Sequence, residues 1–219
     1  EGLERFFPSE KLRLTGNPIR QDLLKPLSDR KKALNSFKLP DAPTLLVLGG
    51  SLGAKRVNEA IEREFAHWLD LGYNLIWQTG RLYNEALKER IPSQKGLWMD
   101  AFIQDMRSAM SAADLVVSRA GAGTLSELEV LGKAALLIPS PNVAEDHQTH
   151  NAMALVQKGA AEMLKEEELD SRLRTEVDAL LGDGQRRSQL QENISKLSRP
   201  NATQDIVDAI IDLIPDDEG

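Results

Sequence analysis

The chain of 219 residues contains no cysteine. That removes disulfides, thiolate metal sites and cysteine nucleophiles, and it fits a reducing compartment. There is no apolar run of transmembrane length and no visible secretory signal. Positive charge is in deficit. Lys and Arg number 27 against 34 Asp and Glu, a formal net charge of -7, so the basic face that bulk nucleic-acid binding needs is missing. Aspartates never stand at Asp-x-Asp spacing, which excludes the carboxylate pair of many metal-dependent sugar transferases. An initiator Met is also absent: Glu1-Gly2 opens the chain in mid-fold, as expected of a piece cut from a longer protein. What is present is ordinary for a globular protein, 41% hydrophobic and 28% charged residues, in a chain long enough to bury a proper core.

Short apolar runs alternate with helical patterns. Residues 11–15 alternate and end in the turn signal Gly16-Asn17-Pro18, and residues 28–37 read as a polar helix closed by Pro40 and Pro43. Strands are expected over 44–48, 73–79, 96–101, 115–118, 134–138 and 160–164. Helices are expected over 53–68, 82–90 and 106–113, from near Thr124, and over 148–158. The remainder is helical and polar, with breaks at 182–184 and Pro200. Buried strands alternating with amphipathic helices predict an α/β fold, a doubly wound, Rossmann-like parallel sheet. Ligands of such sheets bind at the carboxyl ends of the strands, so only the loops after strands are candidates.

The stretch Arg119 to Gly132 is the most informative of these. It places Gly121, Ala122 and Gly123 before a helix that opens at Thr124 and carries Glu127 in its first turn. Small residues let a backbone approach a ligand, and a helix start offers unpaired N–H groups and a positive dipole end, a site for phosphate. An acid one turn in can hold a sugar hydroxyl. Thr124 and Glu127 also have capping-box spacing, so Glu127 can equally cap its own helix. Leu125, Leu128 and Leu131 share a face and are expected in the core.

Other loops add weaker signals. Gly49-Gly50-Ser51-Leu52-Gly53-Ala54 follows the first strand. It lacks both the Gly-Lys-Ser/Thr ending of a Walker loop and G-x-G-x-x-G spacing, and on its own it reads as a strand-to-helix turn. Residues 139–151 form a long polar loop with His147 and His150 at i, i+3; Asp146 is thin support for a metal site. Gln148 and Asn151 are typical partners of sugar hydroxyls. Arg20, just past a rigid turn, can reach a diphosphate with its fork of donors. At Ala101-Phe102-Ile103 the side chains are apolar, so a specific ligand contact would come from the backbone.

Taken together and in this order, Gly16 to Arg20, Gly49 to Ala54, Ala101 to Ile103, Arg119 to Glu127 and Glu145 to Ala152 resemble the MurG family. These are bacterial transferases that add N-acetylglucosamine to undecaprenyl-pyrophosphoryl-MurNAc-pentapeptide in peptidoglycan synthesis. The likeness runs from about Leu12 to about Ala160; beyond Leu169 it is one of helical character. Leu52 stands where a glutamine is common and Gly123 where a larger apolar residue occurs.

The resemblance implies the two-domain GT-B architecture, with this chain as its C-terminal, donor-binding half. Residues 1–20 would end the acceptor domain and its connection. Residues 21–200 would be the Rossmann-like UDP-sugar-binding domain. Residues 201–219 would be the crossover helix and an acidic tail, Asp216-Asp217-Glu218. Arg20 and Ser51 would contact the diphosphate of UDP-N-acetylglucosamine. The backbone of Ile103 would read the uracil edge. Ala122, Gly123 and Thr124 would give N–H groups to phosphate, Glu127 would accept from the ribose hydroxyls, and Gln148 would hold the sugar. Neither cofactor nor metal is implied. The lipid-linked acceptor, the general base and the membrane contact would belong to the missing half, on the cytoplasmic side of the bacterial inner membrane. The implied chemistry is an inverting hexosyl transfer, with this chain binding donor but not turning over. Alternatives are a UDP-sugar epimerase of the same architecture, a non-catalytic donor-binding subunit, and a plain nucleotide-binding α/β domain.

Overall fold

The computed structural model describes residues 7–214; the acidic end 216–218 lies outside them. Six parallel strands form one sheet: β1 Thr44–Leu48, β2 Asn74–Gln78, β3 Leu97–Asp100, β4 Leu115–Ser118, β5 Ala135–Leu137 and β6 Glu162–Met163. Their order is β3-β2-β1-β4-β5-β6. The chain therefore builds outward from β1 in one direction, then returns and builds outward in the other. β1 pairs with both β2 and β4, Val47 lying between Trp77 and Val117. The ends of β1 and β4 thus flank the crevice where the strand order reverses, which is where open α/β sheets bind ligands.

Alternation along the strands sends side chains to two cores. Leu46, Leu48, Val116, Ala135 and Leu137 face one. Leu45, Val47, Leu115, Val117 and Leu136 face the other. Because β1 is buried along its whole length, its sequence Thr-Leu-Leu-Val-Leu is a continuous apolar run. On the first face lie α1 (Arg30–Ser36), α4 (Met106–Ala112), α5 (Ala122–Leu131) and α6 (His147–Val156). On the second lie α2 (Lys55–Asp70), α3 (Asn84–Arg90) and α7 (Leu169–Gly182). Asp178 of α7 binds both Trp68 Nε1 (3.0 Å) and His67 Nε2 (2.8 Å) of α2, so the second layer is stapled by polar contacts as well as by packing. Leu190 and Ile194 of α8 (Gly184–Ser195) reach one core each. The last helix is α9, Ala202–Ile211.

Three expectations from sequence change. The helix expected near Thr124 begins two residues earlier, at Ala122, with Gly121 as its N-cap and no side-chain cap. Thr124 and Glu127 therefore form no capping box. Leu125 and Leu128 must enter the core, and the turn that carries them starts at Gly121, whose carbonyl accepts from Leu125 N–H at 3.0 Å. The alternating residues 11–15 enter no strand: residues 12–20 are irregular, with Gly16 at φ +86. The break at 182–184 narrows to Asp183, which caps α8 by accepting from Arg186 N–H at 2.9 Å.

Candidate functional site

The loop after β1 is held open by backbone contact with the loop after β2. Gly53 has φ +93 and Gly80 φ +80. A Cβ on Gly80 would stand 2.1 Å from Gly53 N, and one on Gly53 would stand 2.4 Å from Thr79 O. Only glycine permits both the positive φ and the contact. The resulting turn leaves Ser51 exposed, its carbonyl accepting from Arg81 N–H at 3.1 Å.

Across the switch point, β4 ends at Ser118 and α5 starts at Ala122. Ala122, Gly123 and Thr124 are its first three residues. Their N–H groups have no acceptor within the helix, and the dipole adds partial positive charge there. Ala122 and Gly123 are exposed, and a Cβ on Gly121 or Gly123 would meet nothing within 4 Å. An anion can approach this helix end directly.

Three to five residues further along α5, about 5–8 Å up its axis, lies Glu127. Its carboxylate is 3.8 Å from the Arg20 guanidinium, which is also 3.8 Å from Asp22. Two candidates separated by more than a hundred residues are thus neighbours. The segment carrying Arg20 is anchored to α5 by Asn17 Nδ2, which donates to Ser126 Oγ at 3.0 Å. Burial raises the Glu127 pKa above the usual carboxylate value; Arg20 opposes the shift and Asp22 adds to it.

A cavity of about 310 Å³ opens between the two halves, lined by Gly49, Gly53, Arg119, Ser140, Asn142 and Gln148 among others. Gln148 is the second residue of α6, and its Oε1 accepts from Ser140 N–H at 3.0 Å. α6 is aimed here by two consecutive left-handed residues, Glu145 (φ 53) and Asp146 (φ 49). Neither is glycine, so the kink stores strain. His147 Nδ1 lies 2.9 Å from the Ala144 carbonyl. Among the described residues no group of three His, Cys, Asp or Glu could hold a metal ion.

Ile103 sits apart, after β3 and two strands from β1. Its side chain is fully buried, and its N–H donates to Gln78 Oε1 at 3.2 Å. The structure thus gathers Ser51, the α5 start and Gln148 around the switch point, adds Arg20 and Glu127 on the flank of α5, and leaves Ile103 with its N–H already engaged. Reasoning from sequence passed over Gln78, although a glutamine ending an apolar strand must find a partner once buried. It also passed over the role of Arg119, whose partner Glu166 is too distant in sequence to signal itself.

A doubly wound parallel sheet with a crevice at its switch point is the architecture of the C-terminal domain of GT-B glycosyltransferases. The chain belongs to glycosyltransferase family 28: the model of that family's C-terminal domain matches residues 44–209. It is 47% identical over 215 residues to the UDP-N-acetylglucosamine--N-acetylmuramyl-(pentapeptide) pyrophosphoryl-undecaprenol N-acetylglucosamine transferase of Flavobacterium psychrophilum, covering 98% of this chain and 58% of the relative. The Acinetobacter baumannii MurG crystal structure superposes with a TM-score of 0.72 at 32% identity, over 87% of this chain and 55% of that one. An S. aureus MnaA–UDP co-structure shares the fold, with a TM-score of 0.65 at 16% identity over 99% of this chain and 60% of that one. The chain thus spans under two thirds of the relatives it matches. No helix among the described residues is long and apolar enough to cross a membrane.

Proposed function

We propose that this chain is the donor-binding half of an inverting glycosyltransferase. The full enzyme would move N-acetylglucosamine from UDP-N-acetylglucosamine to the MurNAc O4 of undecaprenyl-pyrophosphoryl-MurNAc-pentapeptide. The observation that carries this reading is the free α5 N-terminus at the switch point, with Glu127 and Arg20 beside it. The 47% identity to a transferase of that name supports the choice of substrates.

In this reading the N–H groups of Ala122, Gly123 and Thr124, with Arg20 and Ser51, hold the diphosphate. Glu127 accepts from the ribose hydroxyls and Gln148 donates to the sugar. The Ile103 backbone offers its carbonyl to the uracil edge, and its N–H becomes available only if Gln78 turns aside. The acceptor O4–H attacks the anomeric carbon, the bond from that carbon to the β-phosphate oxygen breaks, and UDP departs. The hydroxyl proton passes to a general base on the remaining part of the enzyme. The charge on the departing diphosphate is stabilised by fixed N–H dipoles and Arg20. Exposed Val207, Ile210 and Ile211 on α9 are available to pack against that remaining part, which would also carry the acceptor site and the contact with the cytoplasmic face of the inner membrane.

Calorimetry of the 219-residue chain with UDP-N-acetylglucosamine, UDP and other nucleoside diphosphates tests the reading. Uridine ligands should bind in preference to other bases, and Glu127→Ala should weaken them about tenfold, since a hydrogen bond to a charged group is lost. No preference for uracil, or a change under about 0.5 kcal/mol, would refute the assignment.

A further inference from the structure

Arg119 has no part in the roles above, yet it lines the cavity at the switch point. It directly follows β4, and its guanidinium reaches across the ends of the next two strands. Nη1 donates to the carbonyls of Ile138 at 3.2 Å and Pro139 at 3.1 Å, where β5 ends. Nη2 pairs with Glu166, just beyond β6. Both side chains are largely buried, 19% and 14% exposed. A planar fork bonded at three points fixes both the place and the angle of what it holds; a lysine keeps the charge and loses the fork.

What the fork holds is the start of the loop that carries Gln148. Ser140 follows Pro139, and Ser140 N–H donates to Gln148 Oε1 at 3.0 Å. Only the amide oxygen can accept from an N–H, so this contact also fixes which way the amide faces and leaves two NH2 donors for another acceptor. Ser140 and Gln148 both line the same cavity as Arg119. The phosphate-binding end of α5 is anchored by Leu125 and Leu128 in the core.

We propose that Arg119, braced by Glu166, is a positioning residue for the sugar end of the donor: through Pro139 and Ser140 it sets the Gln148 amide, while the start of α5 is held by its own core packing. The proposal rests on the donor-binding reading above and adds to it the residue that orients the sugar contact.

The test compares UDP-N-acetylglucosamine with UDP by calorimetry on the wild-type chain, Arg119→Lys and Glu166→Gln. Arg119→Lys should lower affinity for UDP-N-acetylglucosamine about tenfold and for UDP less than twofold, as expected for losing sugar-specific hydrogen bonds only. Glu166→Gln, which keeps a hydrogen-bond acceptor, should show the same selectivity with a smaller loss. In NMR spectra of the free chain, the Gln148 side-chain NH2 resonances should move in Arg119→Lys while the backbone amides of residues 122–124 stay in place. Equal losses for both ligands overturn the proposal, as does an unmoved Gln148 amide in a folded variant. Wild-type chain that binds neither ligand overturns the donor reading and the sugar-positioning role with it.

Discussion

The Lys133 ammonium is only 7% exposed and donates to the Ala113 carbonyl at 3.0 Å. Burial lowers its pKa from 10.5 to about 8, against the pull of Asp114 and with help from Arg30. The folded chain therefore binds this proton less tightly than the unfolded one. Below about pH 8 both states are protonated and the fold carries the whole penalty, about 3 kcal/mol. Between about pH 8 and pH 10.5 the unfolded state holds the extra proton, so this residue's contribution to stability rises with pH. Lys133→Met leaves the Ala113 carbonyl without its donor, a cost that does not depend on pH. Urea unfolding of variant and wild type from pH 7 to pH 10 should show the variant's relative stability falling as pH rises. A difference that stays flat would mean that the buried amine titrates normally. Glu127 shows the same physics with opposite sign of charge: burial favours its neutral form, and Arg20 at 3.8 Å limits the shift.

At the scale of elements, α5 joins fold and function through its first turn. Gly123 is exposed, with open space where a Cβ would go. Gly123→Asp should leave the melting temperature unchanged or raised, because an acid near a helix start is favourable by about 0.3–1 kcal/mol and glycine is a poor helix former. The same carboxylate repels a phosphate, so nucleotide affinity should fall at least about tenfold. Calorimetry and thermal melts on one sample separate the two effects; unchanged affinity would place the diphosphate elsewhere. Gly80→Ala probes the other wall. Its φ of +80 and the 2.1 Å approach to Gly53 N leave no room for a methyl, so the substitution should cost about 3 kcal/mol or more in urea unfolding. Near-wild-type stability would show that the two loops can separate. Most elements were legible in the sequence, β1 and β4 to the residue, because period-2 and period-3.6 apolar patterns record burial directly. The start of α5 was not. Thr124 and Glu127 have the spacing of a cap, but core packing of Leu125 and Leu128 begins the helix at Ala122 and overrides that local signal.

For the whole molecule, the chain spans 58% of the Flavobacterium transferase, and the proposed mechanism puts the general base on the remaining part of the enzyme. The isolated chain should bind UDP-N-acetylglucosamine yet transfer no sugar to a lipid-linked MurNAc acceptor, measured by radiolabelled product formation. Product at the rate of a full-length family member would mean that the base lies within residues 1–219.

The sequence by itself determined the sheet, its helical layers, the absence of thiol chemistry and the set of loops at strand ends, because periodicity and composition are local properties. It also singled out the 122–124 stretch and Glu127, because small residues before a helix leave a local mark; Ser51 and Gln148 took their roles from the family resemblance. Only the tertiary structure decided that Arg20 stands against Glu127, that Gln78 engages the Ile103 N–H and that Arg119 bridges to Glu166. Each joins residues distant in sequence through a single long side chain, and their approach is set by the strand order β3-β2-β1-β4-β5-β6, which no local pattern encodes.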